Sequence, residues 1–361
     1  MCRAERLVAV LDLGAMPAAD HFPPADTDPH PGEAAHPLAM VMCRSCGLAQ
    51  LAHDDTVTAE PRGVEPRALR EQAADAVRRV SGAGLLRGRT VREFASPHGG
   101  SWLELLADRG FTVTGGPADV VLDSFGLMHE RDQAAAVAGR AAAVAPGGVL
   151  LLQYQPLHTI VTQSQWNALR HGHFAYYSLR VLRDMLATAG MSVVTVWDFE
   201  LYGGTVLLAA VPGGTAPDDS VRRVLDRESE TDDPDALNGL QRAADDHTES
   251  LRAILESAAA RGERVYAYGA ASRAVALFCR AGIRRELLAG VADAAPGKQG
   301  RRMPGTDVPI ITPADLLAAR PDRVLLTVPD LLAEVSERFP ELAGRWVLDD
   351  PTHGTRERPI R

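Results

Sequence analysis

The sequence predicts an α/β protein built from two nucleotide-binding-type units and a small cysteine-containing lobe. Three observations predict it. A short apolar strand near residues 91–94 is followed by small residues and a helix, the same order returns at residues 264–280, and three of the four cysteines lie in the first 46 residues. Small residues after a strand let backbone approach a ligand, and the helix that follows offers free N–H groups. We expect a lobe at 1–60, an α/β domain at 61–212, an acidic linker at 213–235 and a second α/β domain at 236–361.

The composition is that of an ordinary globular protein. Of 361 residues, 46% are hydrophobic and 24% are charged, and the net charge is −9. A negative balance argues against a nucleic-acid partner, because phosphate contacts need clustered Lys and Arg. The sequence shows neither a membrane-length apolar run nor a signal peptide, so we expect a cytoplasmic protein without a membrane partner. In that compartment four cysteines do not predict a disulfide framework.

The first lobe carries a zinc-knuckle pattern. Cys43 and Cys46 are separated by two residues and followed by Gly47, which permits the tight turn of such a site. Cys2 and Glu5 have the spacing of a second ligand pair, and carboxylate is an acceptable but rarer zinc ligand. Three histidines of the intervening loop are alternative ligands, and two reduced cysteines beside a turn are the simplest alternative: His21, His30 and His36. A structural zinc would hold together a lobe too small for its own core.

The middle region alternates helices and strands. Its apolar periodicity and its Pro and Gly positions predict each element in turn. The predicted elements are a helix at 65–80, a strand at 91–94, a helix at 101–109, a strand at 119–122, a helix at 134–144, a strand at 149–154, a helix at 179–190 and a hairpin of strands at 192–199 and 205–211.

The second unit follows the acidic linker. A long helix at 236–261, capped by Asp235, leads to a strand at 264–268, and further parallel strands are predicted at 288–292 and 323–328. Between these last two lies a basic, glycine-containing loop at 297–306. This loop is either a solvated turn or a clamp for a phosphate or pyrophosphate.

The ordered motifs together resemble one family. The matching segments are Leu11 to Gly14, Cys43 to Leu48, Ala118 to Val121 with His129, His171 to Leu179, Gly203 to Thr205, Tyr268 to Ala270 and Lys298 to Arg301 with Pro304 to Thr306. The chain resembles the bacterial zinc-containing sugar C-methyltransferases, which methylate carbon 3 of nucleotide-linked 4-keto deoxysugars in antibiotic pathways. The resemblance implies a class I methyltransferase-like (Rossmann-like) central domain and a Rossmann-like C-terminal substrate domain.

The resemblance also implies ligands. It predicts a structural Zn²⁺ on Cys2, Glu5, Cys43 and Cys46, and S-adenosylmethionine as the cofactor. It predicts a nucleotide sugar as the small-molecule partner of a monomer or weak homo-oligomer. The implied cofactor-binding residues are Glu93, Ala95, Ser96, Gly99, Gly100, Asp123 and His129. The implied substrate-binding residues are Tyr177, Gly269, Ser272, Arg273, Lys298 and Arg301.

The cofactor half of the family pattern is incomplete. Ala95 stands where the first glycine belongs, and Pro97 and His98 replace small or acidic residues. Thr114 runs through Gly115-Gly116-Pro117 almost directly into the next strand, so roughly three dozen residues of a usual βαβ unit are missing. These residues would build the adenosine side of the pocket.

The family mechanism implies a general base and an enolate-stabilising donor. The family's Tyr-His-Glu-His motif reads Arg170-His171-Gly172-His173 here, which leaves His173 as the base, or alternatively as a structural histidine. His171 shares its face if the segment is extended, and Tyr176 and Arg170 are candidate donors. Three alternatives stay open: a working methyltransferase, an enolising epimerase, isomerase or eliminase that does not use S-adenosylmethionine, and a non-catalytic homologue that binds a sugar nucleotide or a partner.

Overall fold

A computed structural model describes residues 6–56, 64–97 and 99–351, whose strands form three sheets packed with helices. The predicted α/β class is confirmed. A four-stranded antiparallel sheet belongs mainly to the N-terminal lobe, a six-stranded mixed sheet to the central region and a five-stranded parallel sheet to the C-terminal region.

The first sheet has the order β1-β2-β3-β8. Its strands are β1 (Leu7–Met16), β2 (His36–Cys43), β3 (Ala49–Leu51) and β8 (Ala175–Tyr176). Leu38, Met40 and Met42 alternate along β2 and are almost fully buried, as expected for a strand with one face on a core. Because β8 comes from the central region, the lobe is joined to the rest of the chain by main-chain hydrogen bonds between strands.

The central sheet has the order β5-β4-β6-β7-β10-β9. Its strands are β4 (Thr90–Phe94), β5 (Thr112–Val113), β6 (Ala118–Ser124), β7 (Val144–Tyr154), β9 (Met191–Phe199) and β10 (Thr205–Pro212). The first four are parallel, while β10 runs antiparallel to both β7 and β9. A parallel sheet that ends in an antiparallel hairpin is the arrangement expected for the methyltransferase-like domain.

Six helices accompany this region. They are α1 (Arg67–Gly82), α2 (Leu103–Ala107), α3 (Gln133–Ala142), α4 (Leu157–Thr162), α5 (Leu179–Thr188) and α6 (Asp219–Glu228). Helix α6 lies inside the segment predicted as an acidic linker and packs on β9. Its Asp218 cap and the buried Val221 and Val224 make it an ordinary amphipathic helix, so the acidic composition reflects its exposed face.

The cofactor-side edge of the central sheet is short. Strand β5 has two residues, pairs only with Thr90 and Val91, and leaves Val113 66% exposed. Four residues then lead directly into β6. The predicted loss of a segment after Thr114 is therefore visible as a truncated sheet edge in the described chain.

The third sheet has the order β13-β12-β11-β14-β15, and every pair in it is parallel. Its strands are β11 (Val265–Tyr268), β12 (Val291–Ala292), β13 (Ile310–Ile311), β14 (Arg323–Leu326) and β15 (Trp346–Leu348). Its helices are α7 (Gly239–Ala260), α8 (Ser272–Arg280), α9 (Pro313–Ala319) and α10 (Leu332–Arg338). The strand order reverses at β11, and in open α/β sheets ligands bind beyond the carboxyl ends of strands at such a switch point.

The predicted cap of the long helix is wrong. Helix α7 begins at Gly239, after a short 3₁₀ helix at Pro234–Asn238. Asp235 does not cap it, because the carboxylate of Asp233 instead accepts a hydrogen bond from the Asp235 N–H and starts the 3₁₀ turn.

The basic loop at 297–306 binds the N-terminal lobe. Arg302 is 1% exposed, and its guanidinium pairs with the Glu33 carboxylate (Nη1 to Oε2, 2.8 Å). This guanidinium lowers the pKa of Glu33 to about 2. Arg301 donates to the carbonyl of Phe22 at 2.7 Å. The phosphate-clamp hypothesis is wrong for Arg301, since its side chain is used to join two domains.

Among the helices of the described ranges, none combines the length and the apolar composition needed to cross a bilayer.

Candidate functional site

A cleft of about 320 Å³ lies between the central and C-terminal sheets. One wall comes from the loops after β4 and β6 and from the start of α1. The other comes from the segment at 167–173, from the loop between β11 and α8, and from α10. The polar residues that line it are Glu65, Ser96, Ser124, Gln155, Asn167, Arg170, His173, Tyr202, Ser272, Arg273, Asp293, Lys298, Glu334 and Arg338.

The loop after β4 contributes little to the cleft. Ser96 and Gly99 line it, whereas Glu93, Ala95 and Gly100 do not. The Glu93 carboxylate accepts hydrogen bonds from the Ser101 hydroxyl (2.6 Å) and the Trp102 N–H (2.8 Å), so it supports the start of α2. His98 lies outside the described residues.

Asp123 and His129 are used inside the protein. The carboxylate of Asp123 is buried, forms an ion pair with Arg140 and accepts the N–H groups of Gly126 (2.7 Å) and Leu127 (3.1 Å). The Nδ1 of His129 lies 2.9 Å from the carbonyl of Gly172, and its ring packs against His173. The cofactor roles predicted for these two residues are therefore not supported by where they point.

These contacts test the fit of S-adenosylmethionine. A class I domain holds the ribose with an acidic residue after its second strand. Here β5 ends at Val113 and continues through Thr114, Gly115 and Gly116, which offer no carboxylate. Since Glu93 and Asp123 are also engaged, the residues described do not form the adenosine half of a class I cofactor site.

The two predicted histidines do not share a face. Gly172 has φ +82° and forms a turn, so His171 and His173 point to different places. His171 is buried against the first sheet, where its Nε2 lies 3.1 Å from the carbonyl of Pro37, and burial lowers its pKa. These contacts indicate a structural residue, and because the segment is not extended at Gly172, the condition for a shared face is not met.

His173 and Arg170 meet in the cleft. The Arg170 Nε–H donates to the Nε2 of His173 at 2.7 Å, and both residues line the cavity. Because this nitrogen accepts a hydrogen bond, the imidazole is neutral in this arrangement. The structure thus places a candidate base and a candidate oxyanion donor side by side.

The predicted tyrosines are not in the cleft. Tyr176 is buried, with its hydroxyl 3.2 Å from the N–H of Arg170, and burial raises its pKa. Tyr177 is buried and donates to the side chain of Gln133 at 2.5 Å. Both residues position the 170–178 segment and do not line the cleft, which does not support the direct roles predicted for them.

The C-terminal wall keeps most of its predicted residues. Gly269 has φ +96°, and a Cβ there would lie 2.8 Å from the Thr327 hydroxyl, so only glycine fits this turn. The Ser272 hydroxyl donates to Asp20 at 2.7 Å, and Lys298 Nζ donates to the carbonyl of Ala270 at 3.0 Å. These contacts fix the floor of the cleft at the N-terminus of α8.

Arg273 differs from its neighbours. Its guanidinium forms no hydrogen bond or ion pair with any described residue, and it stands 6.0 Å from the ring centre of Tyr202. It is half-buried, and burial lowers its pKa below the ordinary value. An incompletely paired cation at a helix N-terminus attracts an anion.

Sequence reasoning missed several residues of the cleft, among them Tyr202 and Asn167. Tyr202 has φ +57°, an uncommon backbone conformation for tyrosine, and its N–H donates to Asp330 at 3.0 Å. Asn167 lies on a short 3₁₀ helix, Trp166–Ala168. The adjacent Gly203-Gly204 was a usable signal for Tyr202, whereas nothing in the local sequence marks Asn167.

The cysteine pair adopts a tight turn. Cys43 ends β2, its carbonyl accepts the N–H of Gly47 at 2.8 Å, and Gly47 has φ +74°. Cys2 and Glu5 lie outside the described residues. His36 begins β2, roughly 23 Å from Cys43 at the usual rise of a strand. Within the described ranges no three His, Cys, Asp or Glu side chains are grouped for a metal, so His21, His30 and His36 do not complete the site.

Two family models match the chain. The model described as "Putative zinc binding domain" matches residues 1–60, and the model described as C-methyltransferase C-terminal domain matches residues 200–350. Over residues 200–350 the chain is therefore similar to the C-methyltransferases. C-methyltransferase NovU of Streptomyces niveus is 26% identical, with 97% of this chain and 94% of the relative aligned. That alignment runs over 404 positions, more than the 361 residues of this chain, so the relative carries insertions that this chain lacks.

Solved methyltransferases are more distant. The magnesium protoporphyrin IX methyltransferase of Synechocystis PCC 6803, solved with bound SAH, has 16% identity and a TM-score of 0.32, covering 41% of this chain and 85% of that chain. A possible histamine N-methyltransferase of Thermotoga maritima has 14% identity and a TM-score of 0.30, covering 40% of this chain and 90% of that chain. The fold assignment for this chain therefore rests on its own strand order.

Proposed function

We propose that this protein belongs to the C-methyltransferase family and acts on a nucleotide-linked keto-deoxysugar, or a similar phosphorylated carbonyl compound, held in the cleft. The observation that carries the proposal is Arg273, a half-buried cation in the first turn of α8 that forms no hydrogen bond or ion pair with any described residue. Helix N-termini and guanidinium groups both bind phosphate. Ser272 and Lys298 line the same part of the cleft and complete the substrate-binding group.

The chemistry proposed for the bound sugar is proton removal beside its ketone. His173 would take the proton on Nε2, and Arg170 would move its hydrogen bond from that nitrogen to the developing enolate oxygen. Because the two side chains are in contact at 2.7 Å, the Arg170 N–H needs to move only a short distance to reach the enolate oxygen. A base and an oxyanion donor in one site are the minimum set for enolisation.

Methyl transfer is the family's next step, and S-adenosylmethionine would supply the methyl group. The described residues do not form its adenosine site, so we expect its binding to be weak or absent. This favours a second candidate function, in which enolisation leads to epimerisation, isomerisation or elimination without a cofactor.

The zinc site proposed for the lobe is structural. Cys43 and Cys46 would supply two ligands, and Cys2 and Glu5 the others. In support, Leu7 pairs with Cys43 in the sheet, and the carbonyl of Arg6 accepts the N–H of Arg44 at 2.9 Å. The beginning of β1 therefore lies beside the cysteine turn.

Two measurements test the proposal. Calorimetry with S-adenosylmethionine should show no micromolar binding, and a 4-keto nucleotide sugar in D₂O should gain deuterium beside the ketone. His173→Gln keeps an acceptor near Arg170 but removes the base, so it should abolish deuterium uptake while the sugar nucleotide still binds. If the wild type binds the sugar nucleotide without deuterium uptake, the protein is a non-catalytic homologue. If it transfers a methyl group to the sugar, it is a working methyltransferase.

A further inference from the structure

Asn167 is a buried amide without a hydrogen-bond partner among the described residues. The residue is 2% exposed, its Oδ1 accepts no hydrogen bond, and its Nδ2 donates none to any residue in the described ranges. It lines the cleft and also a second cavity of about 240 Å³, whose wall it shares with Tyr202 and Arg273. Buried amides are almost always hydrogen-bonded, and an unpaired one lowers stability. A group retained at such a cost calls for a ligand.

The amide is held rigidly in place. Trp166, its neighbour in the chain, donates its indole N–H to the Nδ1 of His247 at 3.2 Å. The Nε2 of His247 lies 2.8 Å from the carboxylate of Asp349. Since Nδ1 accepts, the ring proton is on Nε2 and is donated to Asp349. All three side chains are buried, so the turn that carries Asn167 cannot rotate freely.

We propose that Asn167 is a specificity-determining residue that hydrogen-bonds the ligand bound in the cleft, an inference that rests on the function proposed above. A carboxamide pairs best with a group that offers a donor beside an acceptor. In a sugar nucleotide such a group is either a sugar hydroxyl or the imide edge of a pyrimidine base. Arg273, on the same wall, would bind a neighbouring phosphate or carbonyl oxygen of the same molecule.

A stability comparison tests the proposal without a ligand. Leucine has nearly the shape of asparagine, so Asn167→Leu removes an unpaired polar group and should leave the melting temperature unchanged or raise it. The matched control is Gln133→Leu, at another buried amide, which donates to the carbonyls of Leu127 (3.0 Å) and Glu130 (2.6 Å). This control should lower the melting temperature by about 3 °C or more. An equal loss in Asn167→Leu would overturn the proposal, because it would indicate a structural partner.

Binding then identifies the contacted group. Calorimetry with UDP, glucose 1-phosphate and UDP-glucose as probes should show affinity weakened about tenfold in Asn167→Ala for at least one of them. A loss with UDP and UDP-glucose assigns the contact to the base. A loss with UDP-glucose and glucose 1-phosphate assigns it to the sugar. Unchanged affinity for every probe that the wild type binds would overturn the proposal.

The two hypotheses fail separately. A wild-type protein that binds none of the three probes contradicts the proposed sugar-nucleotide function, while the melting temperatures of Asn167→Leu and Gln133→Leu still decide whether Asn167 faces a ligand.

Discussion

The two walls of the cleft treat their polar groups in opposite ways. On the wall that follows β4 and β6, Glu93 and Asp123 are fully engaged by hydrogen bonds and an ion pair within the protein. On the opposite wall, half-buried Arg273 and buried Asn167 form no hydrogen bond or ion pair with any described residue. Paired groups stabilise the fold, whereas unpaired ones are available to a ligand. We name the first the cofactor wall and the second the substrate wall, after the roles expected from the sequence. The carboxylates of the cofactor wall are engaged within the protein, whereas the substrate wall keeps two polar groups available to a ligand.

The largest expected effect comes from the cofactor wall. Arg140→Met leaves Asp123 as an uncompensated buried carboxylate, which should cost about 3–5 kcal/mol in the free energy of unfolding. Urea unfolding measures it, with the exposed Arg183→Met as a control expected within about 0.5 kcal/mol of wild type. A decrease in the free energy of unfolding of less than about 1 kcal/mol would contradict a structural role for the ion pair between Asp123 and Arg140.

On the substrate wall the effect should appear in binding. Arg273→Met removes a charge-assisted contact and should weaken UDP-glucose binding about 30-fold, equivalent to about 2 kcal/mol. Stability should be unchanged or higher, because a half-buried cation is removed. Arg273→Lys should recover part of the affinity. If Arg273→Met lowered the free energy of unfolding but left UDP-glucose affinity unchanged, Arg273 would be a structural residue and the contrast between the walls would be wrong.

The attachment of the substrate wall to the lobe should depend on pH. Arg302 holds the pKa of Glu33 at about 2, below the ordinary 4.5, so the pair stabilises the fold above pH 4.5 and this contribution is lost between about pH 4.5 and 2. Glu33→Gln should therefore cost about 1–2 kcal/mol at pH 7 and progressively less toward pH 2. Unfolding followed by circular dichroism at several pH values checks it. A difference that grows as the pH falls would have the wrong sign.

The smallest effect is expected at Glu93. Because its carboxylate supports α2 and does not line the cleft, Glu93→Gln should change UDP-glucose affinity by less than about twofold. The same calorimetry should detect no S-adenosylmethionine binding in either protein. If the wild type bound S-adenosylmethionine and Glu93→Gln abolished that binding, the cofactor wall would still hold the cofactor.

The sequence predicted architecture better than side-chain direction. Apolar periodicity located the strands on either side of the cleft, and the abrupt passage from Thr114 to Ala118 predicted the truncated sheet edge. The sequence did not show that Gly172 turns His171 away from His173. Glycine adopts positive and negative φ about equally well, so its presence alone does not fix the direction of the chain. The motif order located Arg273, but not its lack of a partner.

Long-range partners explain the other misses. The basic loop has the composition of a phosphate clamp, but Arg302 meets Glu33, which is 269 residues away in the chain. Charge pattern alone cannot distinguish a ligand from such a partner. Asn167 carries no motif, and only the three-dimensional arrangement of Trp166, His247 and Asp349 shows why it matters.

The two-residue strand β8 gives the lobe a part in the cleft. It begins two residues after His173 and pairs with β3, so one short stretch of chain belongs both to the lobe's sheet and to the ligand-binding wall. A perturbation of the lobe would therefore reach His173 through the backbone hydrogen bonds between β3 and β8. Thermodynamic reciprocity then requires that an ion which tightens the lobe and a ligand which orders this wall alter each other's affinity by the same factor.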